Sequence, residues 1–284
     1  MLKLKMVIPK GRIYNNVIQL LDDAGFGVEA AERVYVPRVE DNEVEAKIMK
    51  PQNIPRLVEL GSHDVGFTGQ DWIIETQADV IEVLDLGFDR VKIVAAVPKA
   101  LSEVNLKQRR VVVASEYERI ASQFLKQENY NFILIRTFGA TEVFPPDDAD
   151  MIIDNTSTGR TLKEHNLHIL HEVMVSSTRF IVNKSALNDP WKREKIDEMK
   201  TLFQAVLDAR GRVMLEMNVP GDKFQQIIKF LPCMRSPTVA PLYGDQGFAV
   251  KVAVKKAEVV KLIPLLKKHG ATDILEYEIR KVVV

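Results

Sequence analysis

The sequence predicts an α/β protein in two lobes, followed by a smaller tail of order β-α-β-β-α-β. Three observations carry this reading. Short apolar runs of strand length alternate with stretches of helical period from Leu4 to Ala209. The connections between them are short, as in a largely parallel sheet covered by helices. After Gly211 the rhythm changes, and two strand-length runs, Thr238 to Leu242 and Phe248 to Val254, follow one another without a helix between them.

In the first lobe, Leu4 to Ile8 reads as a buried strand. Gly11 to Ala24 follows with helical spacing at Ile13, Val17, Leu20 and Leu21. Val44 to Met49 is a strand, and Pro51 and Pro55 start a helix. Asp64 to Phe67 is a strand, Thr68-Gly69 a turn, and Gln70 begins a helix. Val80 to Leu86 closes this set. A second lobe begins near Val91, with strands at Val91 to Val97, Arg110 to Ala114, Phe132 to Ile135 and Met151 to Ile153. Its helix, Tyr117 to Gln127, turns Ile120, Phe124 and Leu125 inward. The strand Phe180 to Val182 carries the chain back, and Pro190 to Ala209 is a long amphipathic helix. Two lobes joined by more than one crossing form a hinged cleft. The expected division is residues 1–90 with about 180–209 for lobe I, 91–179 for lobe II, and 210–284 for a ferredoxin-like tail.

Composition narrows the function. The chain has 284 residues, 46% apolar and 27% charged, with 39 basic and 39 acidic side chains. Zero net charge argues against nucleic acid or an anionic membrane as partner. A single cysteine, Cys233, excludes an intrachain disulfide and suits a cytoplasmic protein. It reads as a small buried hydrophobe sooner than a nucleophile. The start, MLKLKMVIPKG, reads as a first strand and not a signal peptide.

The chemistry concentrates after Met151 to Ile153, a continuous apolar run typical of a buried strand. Asp154 stands at its carboxyl end, where open α/β sheets bind ligands. Thr156, Ser157, Thr158 and Gly159 follow, and Arg160 to His165 has helical character. Small residues let backbone N–H groups converge on an anion, and the hydroxyls add donors. Asp154 would repel a phosphate, so it suits sugar hydroxyls or a magnesium-bound group. The alternative is a plain Ser/Thr-capped helix. His165, His168 and His171 run from a helix end into a strand, so they do not converge on a metal.

The stretch IDNTSTGRTLKEHNL resembles the 5-phosphoribosyl-diphosphate (PRPP) loop of the ATP phosphoribosyltransferase family. Others agree in order: IPKGR at Ile8 to Arg12, MKPQNIP at Met49 to Pro55, GFTGQDW at Gly66 to Trp72, LDLGFDR at Leu84 to Arg90, GATEVFPPDDAD at Gly139 to Asp150, and LPCMRSPTVAPL at Leu231 to Leu242. The resemblance implies a periplasmic-binding-protein-like catalytic part with a ferredoxin-like regulatory tail. It implies transfer of the phosphoribosyl group of PRPP to N1 of ATP, with Mg2+, release of pyrophosphate, histidine as feedback inhibitor, and a homo-oligomer from dimer to hexamer.

By the same resemblance, Thr156, Ser157, Thr158, Gly159, Arg160 and Thr161 hold the 5-phosphate, and Glu142 and Asp154 face the ribose. Lys10, Arg12 and Lys50 meet the polyphosphates beside Gly11. Gly69 permits close backbone approach, Asp89 and Arg90 lie near the lobe crossing, and Tyr117 is a candidate to stack on adenine. In the tail, Arg235 to Thr238 opens a strand, and Asn218, Ser236, Thr238 and Asp273 are candidates for histidine. Lys50, Asn53, Asn155 and Asn218 depart from the family's usual residues, which are Arg, Asp, an aliphatic residue and, in some members, an acid. Magnesium is expected on the substrate phosphates, without a dedicated protein site. Rival readings are a non-catalytic two-lobed binding or regulatory protein, and an enzyme like hydroxymethylbilane synthase, whose cofactor cysteine would have to be Cys233 in the tail.

Overall fold

The computed structural model describes residues 2–29, 35–234, 236–244 and 246–283. They fall into two compact units, Met1–Asp197 and Glu198–Val284.

The first unit contains, in order, β1 (Leu4–Pro9), α1 (Tyr14–Ala24), β2 (Val28–Glu29), β3 (Arg38–Val39), β4 (Val44–Met49), α2 (Ile54–Glu59), β5 (Val65–Gly69), α3 (Gln70–Thr76) and β6 (Val80–Asp85). It continues with β7 (Val91–Pro98), α4 (Glu103–Lys107), β8 (Val111–Ser115), α5 (Glu118–Gln127), β9 (Phe132–Arg136), β10 (Met151–Thr156), α6 (Arg160–Glu164), β11 (Leu167–Ser176) and β12 (Thr178–Asn183). One five-stranded sheet has the order β4-β1-β5-β12-β6, the other β11-β7-β10-β8-β9. The chain passes from the first sheet to the second between Asp85 and Val91, and returns between Ser176 and Thr178. This is a two-lobed, periplasmic-binding-protein-like α/β arrangement.

Each sheet is mostly parallel, with one strand run against the others. β12 is antiparallel to both β5 and β6, and β7 to both β10 and β11. Central strands are apolar on both faces, as burial between helices requires. β1 has Met6, Val7 and Ile8 wholly buried, and β10 buries Met151, Ile152 and Ile153. α1 turns Val17, Leu20, Leu21 and Ala24 inward at helical spacing. It stops at Gly25, whose φ of 100° is left-handed and cheap only for glycine. The second lobe's core gathers Ile93, Val113, Ile120, Phe124 and Ile153.

The helix α7 (Pro190–Arg210) leaves the first unit. Its first turns are pinned there by Lys192 on buried Asp64 at 2.7 Å and Lys195 on Asp41 at 2.7 Å. The compact second unit starts at Glu198, inside this helix, whereas the sequence expectation begins the tail after it, at 210. One tie draws the helix end into the tail: Val282 N–H donates to Ala205 O at 2.9 Å.

The second unit then runs β13 (Arg212–Val219), α8 (Phe224–Phe230), β14 (Thr238–Pro241), β15 (Phe248–Lys255), α9 (Lys256–Lys268) and β16 (Thr272–Glu278). Its sheet order is β14-β15-β13-β16, with every pair antiparallel, which is the ferredoxin-like topology. Alternation in β13 sends Val213, Leu215, Met217 and Val219 into a core with Ile227, Leu262 and Leu266. Glu216 and Asn218 are left on the other face. Cys233, expected to be buried, is exposed at the end of the segment that follows α8. It lies in the segment between α8 and β14, outside any helix or strand. No described helix is long and apolar enough to cross a membrane.

Candidate active site

The candidate site begins where β10 outruns its neighbour. β8 pairs with β10 only as far as Ser115 opposite Ile153, while β7 follows β10 on to Thr156. Asp154, Asn155 and Thr156 therefore have one edge free of a strand partner, at the carboxyl end of parallel strands. Gly159, with φ 72°, then turns the chain into α6. Gly159 N–H donates to Thr156 Oγ1 at 2.9 Å, and Arg160 N–H to Thr158 Oγ1 at 3.4 Å. Those two amides are thereby used within the loop, not on a ligand. A hydroxyl that accepts in this way keeps its own proton to donate. The Ser157 and Thr158 N–H groups have no partner among the described residues.

This loop lines a cavity of about 250 Å³ with Arg12, Glu142, Asp154, Asn155, Thr156, Ser157, Thr158, Arg160 and Thr161. Burial pushes the Asp154 carboxyl up to about 6. Hydrogen bonds from Asn155 N–H and the Thr141 hydroxyl oppose that, while the negative charges of Glu116 and Glu142 add to it. Asp154 is thus a carboxylate under strain, eased by any donor or cation that meets it.

A second cavity, of about 140 Å³, is lined by Lys10, Arg12, Gln52, Gly69, Asp71, Trp72, Glu116, Tyr117 and Asn155, among others. Gly11, with φ 86°, makes the turn that sets Lys10 and Arg12 on either side of it. Arg12 is further held by the Asp89 carbonyl at 3.2 Å. Gln52 Oε1 is buried without a hydrogen-bond partner among the described residues, so an acceptor awaits a donor there.

Between the cavities lies a hydrogen-bonded group that joins the lobes. Tyr117 Oη donates to Asp71 Oδ2 at 2.7 Å, and Ser176 Oγ donates to Asp71 Oδ1 at 2.6 Å. Asn155 Nδ2 donates to Tyr117 Oη at 3.1 Å and to Asp154 Oδ1 at 3.2 Å. Burial and the Asp71 charge hold the Tyr117 phenol well above its ordinary value. Beside it, Glu75 accepts from the Arg119 and Ile120 N–H groups at the start of α5, at 2.9 and 3.0 Å.

Several sequence expectations need correction. Tyr117 is only 1% exposed and its ring stacks on Trp72, with centroids 4.6 Å apart. It offers the cleft a hydroxyl, not a free ring face. Gly69 lines the second cavity. A Cβ there would run into the Asp71 carboxylate, so the glycine serves the lobe-joining group. Lys50 precedes the helical turn at Pro51, is exposed, and lines neither cavity. Arg90 is likewise exposed and lines neither. Asp89 acts on Arg12 and on Asn16, whose Nδ2 donates to it at 2.8 Å. Sequence reasoning gave no role to Gln52, Asp71 or Glu116, although Gln52 and Asp71 stand inside the motifs MKPQNIP and GFTGQDW and Glu116 directly follows strand β8 at the carboxyl edge of the sheet.

His171 reaches Glu103 at 3.3 Å and, with Glu128, forms a cluster of metal-like spacing. The Lys107 ammonium already occupies it, 2.8 Å from Glu103 and 3.6 Å from Glu128. In the tail, Asn218 Nδ2 donates to Asp273 Oδ2 at 2.9 Å. Thr238 faces the same side of the sheet, since Thr238 and Glu216 both pair with Lys251. Ser236 precedes β14 and is exposed, and Arg235 lies outside the described residues.

Fold and cavities together define a two-lobed α/β protein with two polar cavities, one of them lined by a strand-to-helix loop. Residues 50–205 match the family model described as HisG, ATP phosphoribosyltransferase, and residues 209–281 match HisG, C-terminal domain. An ATP phosphoribosyltransferase of Pelotomaculum thermopropionicum is 40% identical over 292 residues, covering 99% of this chain and 100% of its own. One from Chlorobium phaeovibrioides is 41% identical over 290 residues, covering 99% and 97%. A chain of the ATP phosphoribosyl transferase (HisG:HisZ) complex from Thermotoga maritima superposes with a TM-score of 0.62 at 27% identity, covering 71% of this chain and 98% of that one. The chain belongs to the ATP phosphoribosyltransferase family, the enzymes of the first step of histidine biosynthesis, and carries that family's C-terminal domain.

Proposed function

We propose that the cleft performs the transfer by direct displacement: N1 of ATP attacks the anomeric carbon of PRPP with inversion, and pyrophosphate leaves. Carrying this reading is one observation, that Arg12 and Asn155 line both cavities, so two ligands would meet there. The Thr156–Thr161 loop would hold the 5-phosphate through hydroxyls and the Ser157 and Thr158 N–H groups. Asp154 and Glu142 would accept from the ribose hydroxyls. Lys10 and Arg12 would offset the charge of the leaving pyrophosphate, and Gln52 Oε1 would accept from the exocyclic amine of adenine. No side chain need act as a nucleophile. Orientation of two polyanions and charge balance supply the rate.

Magnesium fits the charge balance of these walls. Four carboxyl groups, Asp71, Glu116, Glu142 and Asp154, stand against three cations, Lys10, Arg12 and Arg160. Two polyphosphates entering so balanced a cleft need a further positive charge. Bound on the polyphosphates, the ion would neutralise charge on the leaving group.

Lobe I is taken as residues 1–90 with about 180–209 and lobe II as 91–179, with 210–284 regulatory. Histidine would bind at the Asn218–Asp273 pair, on the sheet face that also bears Thr238. That face exposes Leu275 and Tyr277, at 49% and 46%, which supports burial against a second copy in a dimer or hexamer. Family membership supports a cytoplasmic location. The test is direct: mixed with ATP, PRPP and Mg2+, the protein is expected to release pyrophosphate and form phosphoribosyl-ATP. Absence of product from folded protein overturns the reading.

A further inference from the structure

Asn155 stands at the last free edge of β10, and its neighbours dictate what it must be. The Asp71 carboxylate accepts only, and holds the Ser176 hydroxyl at 2.6 Å and the Tyr117 hydroxyl at 2.7 Å. Tyr117 has thus committed its proton and can only accept from the other side. Asn155 supplies that donor with one amide hydrogen, at 3.1 Å, and gives the other to Asp154 Oδ1, at 3.2 Å. Its backbone N–H reaches the same Asp154 oxygen at 2.6 Å. An aliphatic side chain there would leave the buried Tyr117 oxygen without that donor and remove one of the donors to Asp154, with the Asn155 N–H and the Thr141 hydroxyl remaining. Asp71 belongs to α3, in the first sheet's lobe, and Asp154 to β10, in the second's. Through Tyr117 the amide is therefore tied to Asp71 on the other lobe and, with Arg12, it lines both cavities.

We propose that Asn155 is a positioning residue: it sets the Asp154 carboxylate for the ribose and ties that setting to α3 on the opposite lobe, so that each substrate cavity senses the other. This rests on the reading of Asp154 as the ribose acceptor. Its own test is independent of turnover. In the full chain, the Asp154 carboxyl is followed by carbon-13 titration, assigned by its loss in Asp154→Asn. Asn155→Leu removes one donor to the carboxylate, and the titration should move up by about one pH unit. Tyr117→Phe keeps Asn155 but removes its acceptor, and should move it in the same direction. It carries the test if Asn155→Leu does not fold. The double variant should do no more than Asn155→Leu alone, because the groups act in series. In steady-state kinetics Asn155→Leu should raise the KM for PRPP about tenfold, with its acid limb shifted equally. An unmoved titration, or fully additive shifts, overturns the inference. If the wild type turns over no substrate while the titration moves as expected, the functional reading fails and the positioning of Asp154 stands.

Discussion

Asp154 concentrates the account at the scale of one residue. Its carboxyl is pushed to about 6, above the ordinary 3.8, first by burial. The folded chain therefore holds a proton there that the unfolded chain has released between those two values. Stability from this group is complete below about pH 4 and is lost as pH rises through 6. Asp154→Asn should flatten that slope in urea unfolding and leave the free protein more stable at pH 8 by about 1–2 kcal/mol, a figure discounted for partial solvent access. The same variant should lose most activity with PRPP, since a neutral amide accepts less strongly from ribose hydroxyls. A wild-type stability profile that stays level from pH 4 to 7 would remove this reading of Asp154. The loop around it was legible in the sequence, because small or hydroxyl residues fill five of the six positions from Thr156 to Thr161. The group of Asp71, Tyr117, Asn155 and Ser176 was not. Tyr117 and Asp71 are 46 positions apart, and Ser176 and Asp71 are 105 apart. No local pattern reports such meetings.

At the scale of elements, periodicity made nearly every strand and helix readable, and failures have local causes. β11 runs ten residues, yet its alternation breaks between Ile169 and His171 and again between Glu172 and Met174. Two bulges erase the period-two signal that a sequence would show. β2 and β3 are two residues each and too short to carry a pattern. The start of α7 makes a prediction of its own. Asp64 is 4% exposed, accepts from Lys5 N–H at 2.8 Å and meets Lys192 Nζ at 2.7 Å. Lys192→Met leaves a buried carboxylate with one partner fewer, and should cost about 2–3 kcal/mol at neutral pH. Lys192→Met with Asp64→Asn should recover part of that loss. Equal unfolding midpoints for Lys192→Met and the wild type would show that the pair does not anchor the helix.

At the scale of the whole molecule, the family and both of its regions were readable because several motifs stand in one order along the chain. What the sequence left open was which cations reach the cleft. Only the folded backbone shows Arg12 lining both described cavities and Lys50 and Arg90 lining neither. The tail offers a separate test. Histidine should lower the rate, and Asn218→Ala should weaken that inhibition with little change in uninhibited turnover. Equal inhibition of both proteins would put the effector elsewhere.

The central claim is that the loop from Thr156 to Thr161 holds the 5-phosphate of PRPP while ATP enters from the Lys10 side. Thr158→Ala measures it most directly, because the side chain is exposed and its loss should not disturb folding. The KM for PRPP should rise about tenfold, as for a hydrogen bond to a charged group, with the KM for ATP unchanged. A rise in the KM for ATP with PRPP unaffected would contradict the account.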